Sequence, residues 1–159
     1  MGRYEILYKV PGTSCSPVPE WSVDSELYRR GIKLFNSAAF FEAHEVLEDV
    51  WRAAPGPERK FLQGVIQVAV ALYHHGNGNL VGARSLLGRA SRNLSGYPES
   101  FGGIELARLR HSIAEWQRAL AEGTPVPPRP KLVVVGRPPK SYIAEVAEKF
   151  RRGRGRNSS

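Results

Sequence analysis

The chain has 159 residues, of which 42% are hydrophobic, 9% aromatic and 24% charged. This length and balance are typical of one globular domain and exclude a wholly disordered chain. The longest apolar run, residues 65–73, is interrupted by Gln67 and is far shorter than the roughly 20 residues that a membrane-spanning helix needs. No apolar signal segment follows the first residues, so we expect a cytoplasmic protein without a membrane span.

The formal net charge of +8 is concentrated at the end of the chain. Residues 125–159 hold nine Lys and Arg against two Glu, whereas residues 1–124 hold 14 basic and 13 acidic side chains. The basic character therefore belongs to the tail and not to the body. The single cysteine, Cys15, excludes an internal disulfide framework and a multi-cysteine zinc site.

Between proline and glycine breaks, apolar residues recur with the 3.6-residue period of helices, which predicts an all-α fold. We expect an irregular lead over 1–21, a helical domain over 22–124, and a third part over 125–159. That third part combines a Pro-rich linker, a short amphipathic helix at about 141–150 and a basic tail. Short loops favour a compact array of about five antiparallel helices. The sequence leaves the oligomeric state open.

Capping residues mark the starts of two predicted helices. Ser22 or Asp24 can cap the first helix, and Asn79 can cap the fourth after a glycine-rich turn. Pro57 suits the first turn of the third helix, because its missing N–H would have no partner there. We expect the five helices at about 23–37, 39–53, 57–75, 80–94 and 104–122.

The third predicted helix is apolar around most of its circumference, and one narrow polar line interrupts it. Gln63, Gln67 and His74 fall within about 40° of one another, with Arg59 beside them. A buried amide or imidazole without a partner costs roughly 1–3 kcal/mol, so this line must face something polar.

The second predicted helix offers the nearest polar partner. His44 and Glu48 are neighbours at positions i and i+4 on the rim of its buried face, with Glu45 and Arg52 slightly further round. We predict that the two polar lines meet across one interface and form a polar pocket. Its candidate members are His44, Glu45, Glu48, Arg52, Arg59, Gln63, Gln67 and His74.

Three interpretations of this pocket stay open. It could be a closed hydrogen-bond network that sets the helix register, or a site for a small polar ligand or divalent ion. In the third interpretation His44 and Glu48 hold a metal, and Glu45 or His74 acts as the base of a metal-dependent hydrolase. One imidazole and one carboxylate fall short of the two imidazoles of a zinc protease helix. We therefore place catalysis third and assign no catalytic residue.

The basic tail suggests a second function, in a structural or interaction module. Its arginines could neutralise phosphates of RNA, the ribosome or DNA without reading sequence. A solvated terminus that aids solubility and contact with an anionic membrane surface are the alternatives. The candidate residues are Arg151, Arg152, Arg154 and Arg156.

Three dense motifs carry a resemblance to a known family. They read FFEAHEVLEDVWR from residue 40, RKFLQGVIQVA from residue 59 and HHGNGNLVGA from residue 74. Over about residues 25–95 the sequence resembles domain-of-unknown-function family 309, small helical proteins of bacteria and archaea. The resemblance implies a compact multi-helical fold and no particular activity. The Pro-rich, Arg-ending tail lies outside the family pattern.

Overall fold

The computed structural model describes residues 25–135, and five helices account for most of them, which confirms the all-α class. The predicted lead over 1–21, the helix at 141–150 and the arginines of the tail lie outside the described residues. Within 25–135, no helix has the length and apolarity that crossing a membrane requires. The elements are α1 (Glu26–Asn36), α2 (Phe40–Ala53), α3 (Gly56–Gly76), α4 (Leu80–Leu94), β1 (Ser100–Phe101), β2 (Ile104–Glu105) and α5 (Leu106–Glu122).

The start of α1 differs from the prediction. The N-cap is Ser25, whose Oγ accepts a hydrogen bond from the backbone N–H of Tyr28 at 3.3 Å. Ser22 and Asp24 are therefore not the caps. The prediction for α4 is confirmed, because Asn79 Oδ1 accepts from the N–H of Gly82 at 2.9 Å. Both caps satisfy an N–H that the first helical turn cannot pair.

The start of α5 also differs, because residues 104–105 are strand and not helix. Strands β1 and β2 pair in antiparallel register, with Phe101 opposite Ile104. Gly102 and Gly103 connect them with φ values of 61° and 73°, a conformation that glycine adopts without a steric penalty. Because of this tight turn, α5 begins at Leu106, two residues later than the apolar periodicity predicts.

Helix α3 lies at the centre of the helical body and packs against both α2 and α4. At Gly64 the two helices α3 and α4 approach so closely that a Cβ atom would lie 2.6 Å from Leu94 Cγ. Helix α1 packs on α2, and α5 packs on α4. The largest fully buried side chains draw on all five helices, on β2 and on the segment after α5: Phe35, Phe61, Leu47, Leu62, Leu87, Leu94, Ile104, Leu106, Leu109, Ile113, Leu132 and Val50.

The described part of the Pro-rich segment, residues 124–135, lies along the helical body. Trp116 Nε1 donates to the carbonyl of Pro128 at 3.0 Å. The Asn36 side chain donates to the Leu132 carbonyl at 2.9 Å and accepts from the Leu132 N–H at 2.8 Å. The N–H of Glu105 then bonds the carbonyl of residue 133 at 2.8 Å. These contacts connect the segment to α5, α1 and β2 in turn.

Candidate binding groove on helix α3

The polar line of α3 is the strip of this helix that its neighbours leave uncovered. Gln63 is exposed, and Gln67 and His74 are half-buried. Because α2 and α4 cover the two flanks of α3, only a narrow side of the helix reaches solvent, and the polar residues occupy that side. These side chains therefore lie at an open surface and not inside a sealed interface.

Two cavities follow one another along this strip. One has a volume of about 290 Å³ and the next about 210 Å³, and Val70 lines both. We call the pair the α3 groove. Its larger part is lined by Glu48, Trp51, Gln63, Ile66, Gln67, Val70 and Leu86, and its smaller part by Phe40, Phe41, His44, Val70, Tyr73 and His74.

Helix α2 forms one wall of the groove. His44 Nε2 lies 3.5 Å from Glu48 Oε1, and Arg52 Nη2 lies 3.9 Å from Glu48 Oε2. The other ring nitrogen of His44 donates to the carbonyl of Phe41 at 2.9 Å, which orients the imidazole. Arg52 is largely exposed and lies closer to Asp49, at 2.7 Å. The Arg52 guanidinium beside Glu48 partly offsets its negative charge.

The polar groups of α3 find partners other than those that the sequence suggests. Gln67 Oε1 accepts a hydrogen bond from Asn93 Nδ2 of α4 at 2.8 Å, so this amide pairs with α4 and not with α2. His74 Nδ1 lies 3.4 Å from Asn79 Nδ2, which can donate to it. Glu45 is exposed and lines neither cavity. No hydrogen bond among the described residues joins the two polar lines directly.

Trp51 belongs to the groove but is not among the site residues that the sequence predicts. The indole lines the larger cavity, and the Arg59 guanidinium lies over it at 4.0 Å from the ring centroid, a cation–π contact. Trp51 Nε1 is buried without a hydrogen-bond partner among the described residues. The signal that could have found it is its position three residues after Glu48, about one turn along the same side of α2.

Aromatic rings also enclose the smaller cavity. Phe41 and Tyr73 lie with ring centroids 5.5 Å apart, and both side chains are more than two-fifths exposed. The Phe41 ring also meets the His44 imidazole edge to face, with centroids 5.3 Å apart. Residues from α2 and α3 thus form an aromatic end to the groove.

The predicted metal ligands His44 and Glu48 are neighbours in the structure. Within residues 25–135, no group of three or more His, Cys, Asp and Glu side chains is arranged to hold a metal ion. The pair would need water or another donor to complete a coordination shell. The metal site remains a prediction, as does the polyanion contact of the tail, whose arginines lie outside the described residues.

The fold and the groove define a small helical domain with a partly polar cleft along its central helix. Residues 28–86 match the model of the family described as Domain of unknown function (DUF309), and this match confirms the resemblance. An "Uncharacterized protein" of Aquifex aeolicus (strain VF5) is 30% identical over 95 residues, 59% of this chain and 28% of that protein. The "Uncharacterized protein YpuF" of Bacillus subtilis (strain 168) is 46% identical over 56 residues, 35% of this chain and 32% of that protein. The chain therefore spans less than a third of either relative's length.

Proposed function

We propose that the helical body binds a small polar organic ligand in the α3 groove. The observation that carries this proposal is that the polar strip of α3 lies open between α2 and α4 and forms the floor of a cavity of about 290 Å³. A few convergent polar groups in an otherwise apolar concave lining are typical of small-molecule sites. The proposal includes the cytoplasmic location expected from the sequence.

The lining indicates the chemistry of the ligand. The exposed amide of Gln63 has no hydrogen-bond partner among the described residues and offers both a donor and an acceptor. Ile66, Val70 and Leu86 provide an apolar surface beside it. Since Arg52 lies close to Glu48, the groove has no large excess of either charge. We therefore expect a compact ligand with donors, acceptors and little net charge.

The test is thermal unfolding of the full chain with a panel of nucleosides, free amino acids and monosaccharides. A ligand at 100 times its Kd stabilises the folded state by about 2.7 kcal/mol, which raises Tm by several degrees. Gln63→Leu removes the free amide from the groove, and Gln117→Leu on α5 is the matched control. We expect a compound that raises Tm of the wild type and of Gln117→Leu but not of Gln63→Leu. A shift that Gln63→Leu retains, or no shift with any compound, contradicts the proposal.

A divalent ion is the second candidate, and the His44–Glu48 pair at 3.5 Å favours it. The test is elemental analysis of untagged protein purified without chelators, with His44→Ala beside the wild type. Retention of about half an equivalent or more of one metal by the wild type alone supports this candidate. Equal metal content in both proteins excludes a site at His44.

A further inference from the structure

The outer face of α4 carries positive charge alone. Arg84, Arg89 and Arg92 are all exposed, and α4 contains no Asp or Glu. At 100° per residue, these arginines share an arc of about 140° with Ser85 and Gly88. We call these five residues the α4 arginine face. It lies opposite the buried side of the helix, which consists of Ala83, Leu87, Ala90 and Leu94.

The arginines of this face differ from Arg52 and Arg108, two exposed arginines that have an ion-pair partner. On α2, Arg52 pairs with Asp49 at 2.7 Å, and at the start of α5 Arg108 pairs with Glu105 at 3.1 Å. Among residues 25–135, no carboxylate forms an ion pair with an arginine of the α4 arginine face. The positive potential of the face is therefore not offset locally, and an anionic partner can use it.

On this face, only the small residues Ser85 and Gly88 lie between the arginines. A Cβ atom at Gly88 would have Arg92 Nη1 as its nearest neighbour, at 3.6 Å, so the guanidinium of Arg92 lies beside Gly88. Arg84 and Arg92 are eight residues apart, which is about 12 Å along the helix axis. That distance corresponds to three or four phosphates of one strand at about 3.4 Å each along a duplex axis.

We propose that the α4 arginine face binds the phosphodiester backbone of nucleic acid. Guanidinium groups and the Ser85 hydroxyl donate hydrogen bonds to phosphate oxygens, contacts that carry no sequence information. An anionic membrane surface fits less well, because no apolar side chain lies on this arc between Arg84 and Arg92. The exposed Val81 lies on the arc only at the start of α4, before the first arginine. The face belongs to the folded body and acts independently of both the α3 groove and the arginines of the tail.

The experiment measures the affinity of the full chain for labelled nucleic acid by fluorescence anisotropy at several salt concentrations. The probes are a single-stranded RNA of about 20 nucleotides and a DNA duplex of similar length. The test variant changes Arg84, Arg89 and Arg92 to Gln. The matched control changes three exposed arginines on other elements to Gln, and so has the same net charge: Arg30, Arg118 and Arg129. A third variant lacks residues 151–159.

We expect the dependence of log K on log salt concentration to be less steep in the test variant. The slope should decrease in magnitude by about 2 with RNA and by about 2.7 with duplex DNA. If the affinities converge near 1 M salt, binding at 0.1 M falls on the order of 100-fold for RNA. In the control variant the slope decreases by less than half of these amounts. In a chain without residues 151–159, the three α4 substitutions still decrease the slope to the same extent. Unchanged Tm for the test variant confirms that its fold is intact.

Three outcomes overturn the proposal. Equal losses in the test and control variants show that net charge alone acts. An unchanged slope in the test variant, with binding abolished by removal of 151–159, assigns the contact to the tail. Binding of the wild type to phosphatidylserine vesicles but not to RNA or DNA, lost in the test variant, shows that the partner is a membrane.

Discussion

Replacement of Gly64 by alanine tests the close approach of α3 and α4. The new Cβ atom would lie 2.6 Å from Leu94 Cγ and 2.7 Å from Leu94 Cδ2. Carbon atoms in favourable contact lie about 3.5–4.0 Å apart, so one side must move by about 1 Å. Because Leu94 is fully buried in the core, it has no open space to enter. Overpacking of this kind costs about 1–3 kcal/mol.

Alanine in a helix is also more favourable than glycine by about 1 kcal/mol. This gain in helix stability must be separated from the cost of overpacking. Gly88→Ala on α4 is the matched control, because the nearest atom to its Cβ is Arg92 Nη1 at 3.6 Å, an ordinary contact. Both substitutions share the gain in helix propensity. We therefore expect Gly64→Ala to be less stable than Gly88→Ala by about 1–3 kcal/mol.

The assay is urea unfolding of the full chain followed by circular dichroism, with the m-value checked for each variant. A double-mutant cycle adds a second criterion. Leu94→Ala alone should cost about 2–5 kcal/mol, and the methyl group introduced by Gly64→Ala should fill part of that cavity. The double variant is then more stable than the sum predicts by about 1–3 kcal/mol. Equal stabilities of Gly64→Ala and Gly88→Ala, or additive effects in the cycle, would refute the reasoning.

Three further predictions concern hydrogen bonds that the structure assigns. Burial raises the pKa of Tyr28, whose hydroxyl donates to the Gly102 carbonyl, so the folded state keeps a proton that the unfolded state loses above about pH 10. The loss of unfolding free energy caused by Tyr28→Phe, measured by urea unfolding, should therefore decrease by about 1.4 kcal/mol per pH unit above pH 10. A loss that stays constant from pH 8 to 11 would contradict this prediction. Asn36→Ala removes two hydrogen bonds to the Leu132 backbone. Hydrogen exchange of the Leu132 amide should therefore accelerate by about tenfold or more. An unchanged exchange rate would show that other contacts hold the segment in place. Asn79→Ala removes the α4 cap and should lower the free energy of unfolding by about 1 kcal/mol, with Asn79→Asp retaining most of it.

The sequence by itself determined the class of the fold and the extent of most helices. Apolar periodicity and caps are local properties, because each depends on residues within one or two turns. Helix α4 spans 80–94 as predicted and is capped by Asn79 as predicted. The same periodicity failed at residues 104–105, because a glycine pair between two short strands imposes a turn that an apolar pattern does not report.

The sequence also placed a polar line on α3 between apolar faces, and the motifs that carry the family resemblance include this line. Only the tertiary structure decided which neighbours cover α3 and which strip they leave open. It paired Gln67 with Asn93, 26 positions away, and Asn36 with Leu132, 96 positions away. Such pairs form where helices and loops distant in sequence pack together, and a helical period carries no record of them. For the same reason the open groove of α3 and the unpaired arginines of α4 follow from packing and not from periodicity.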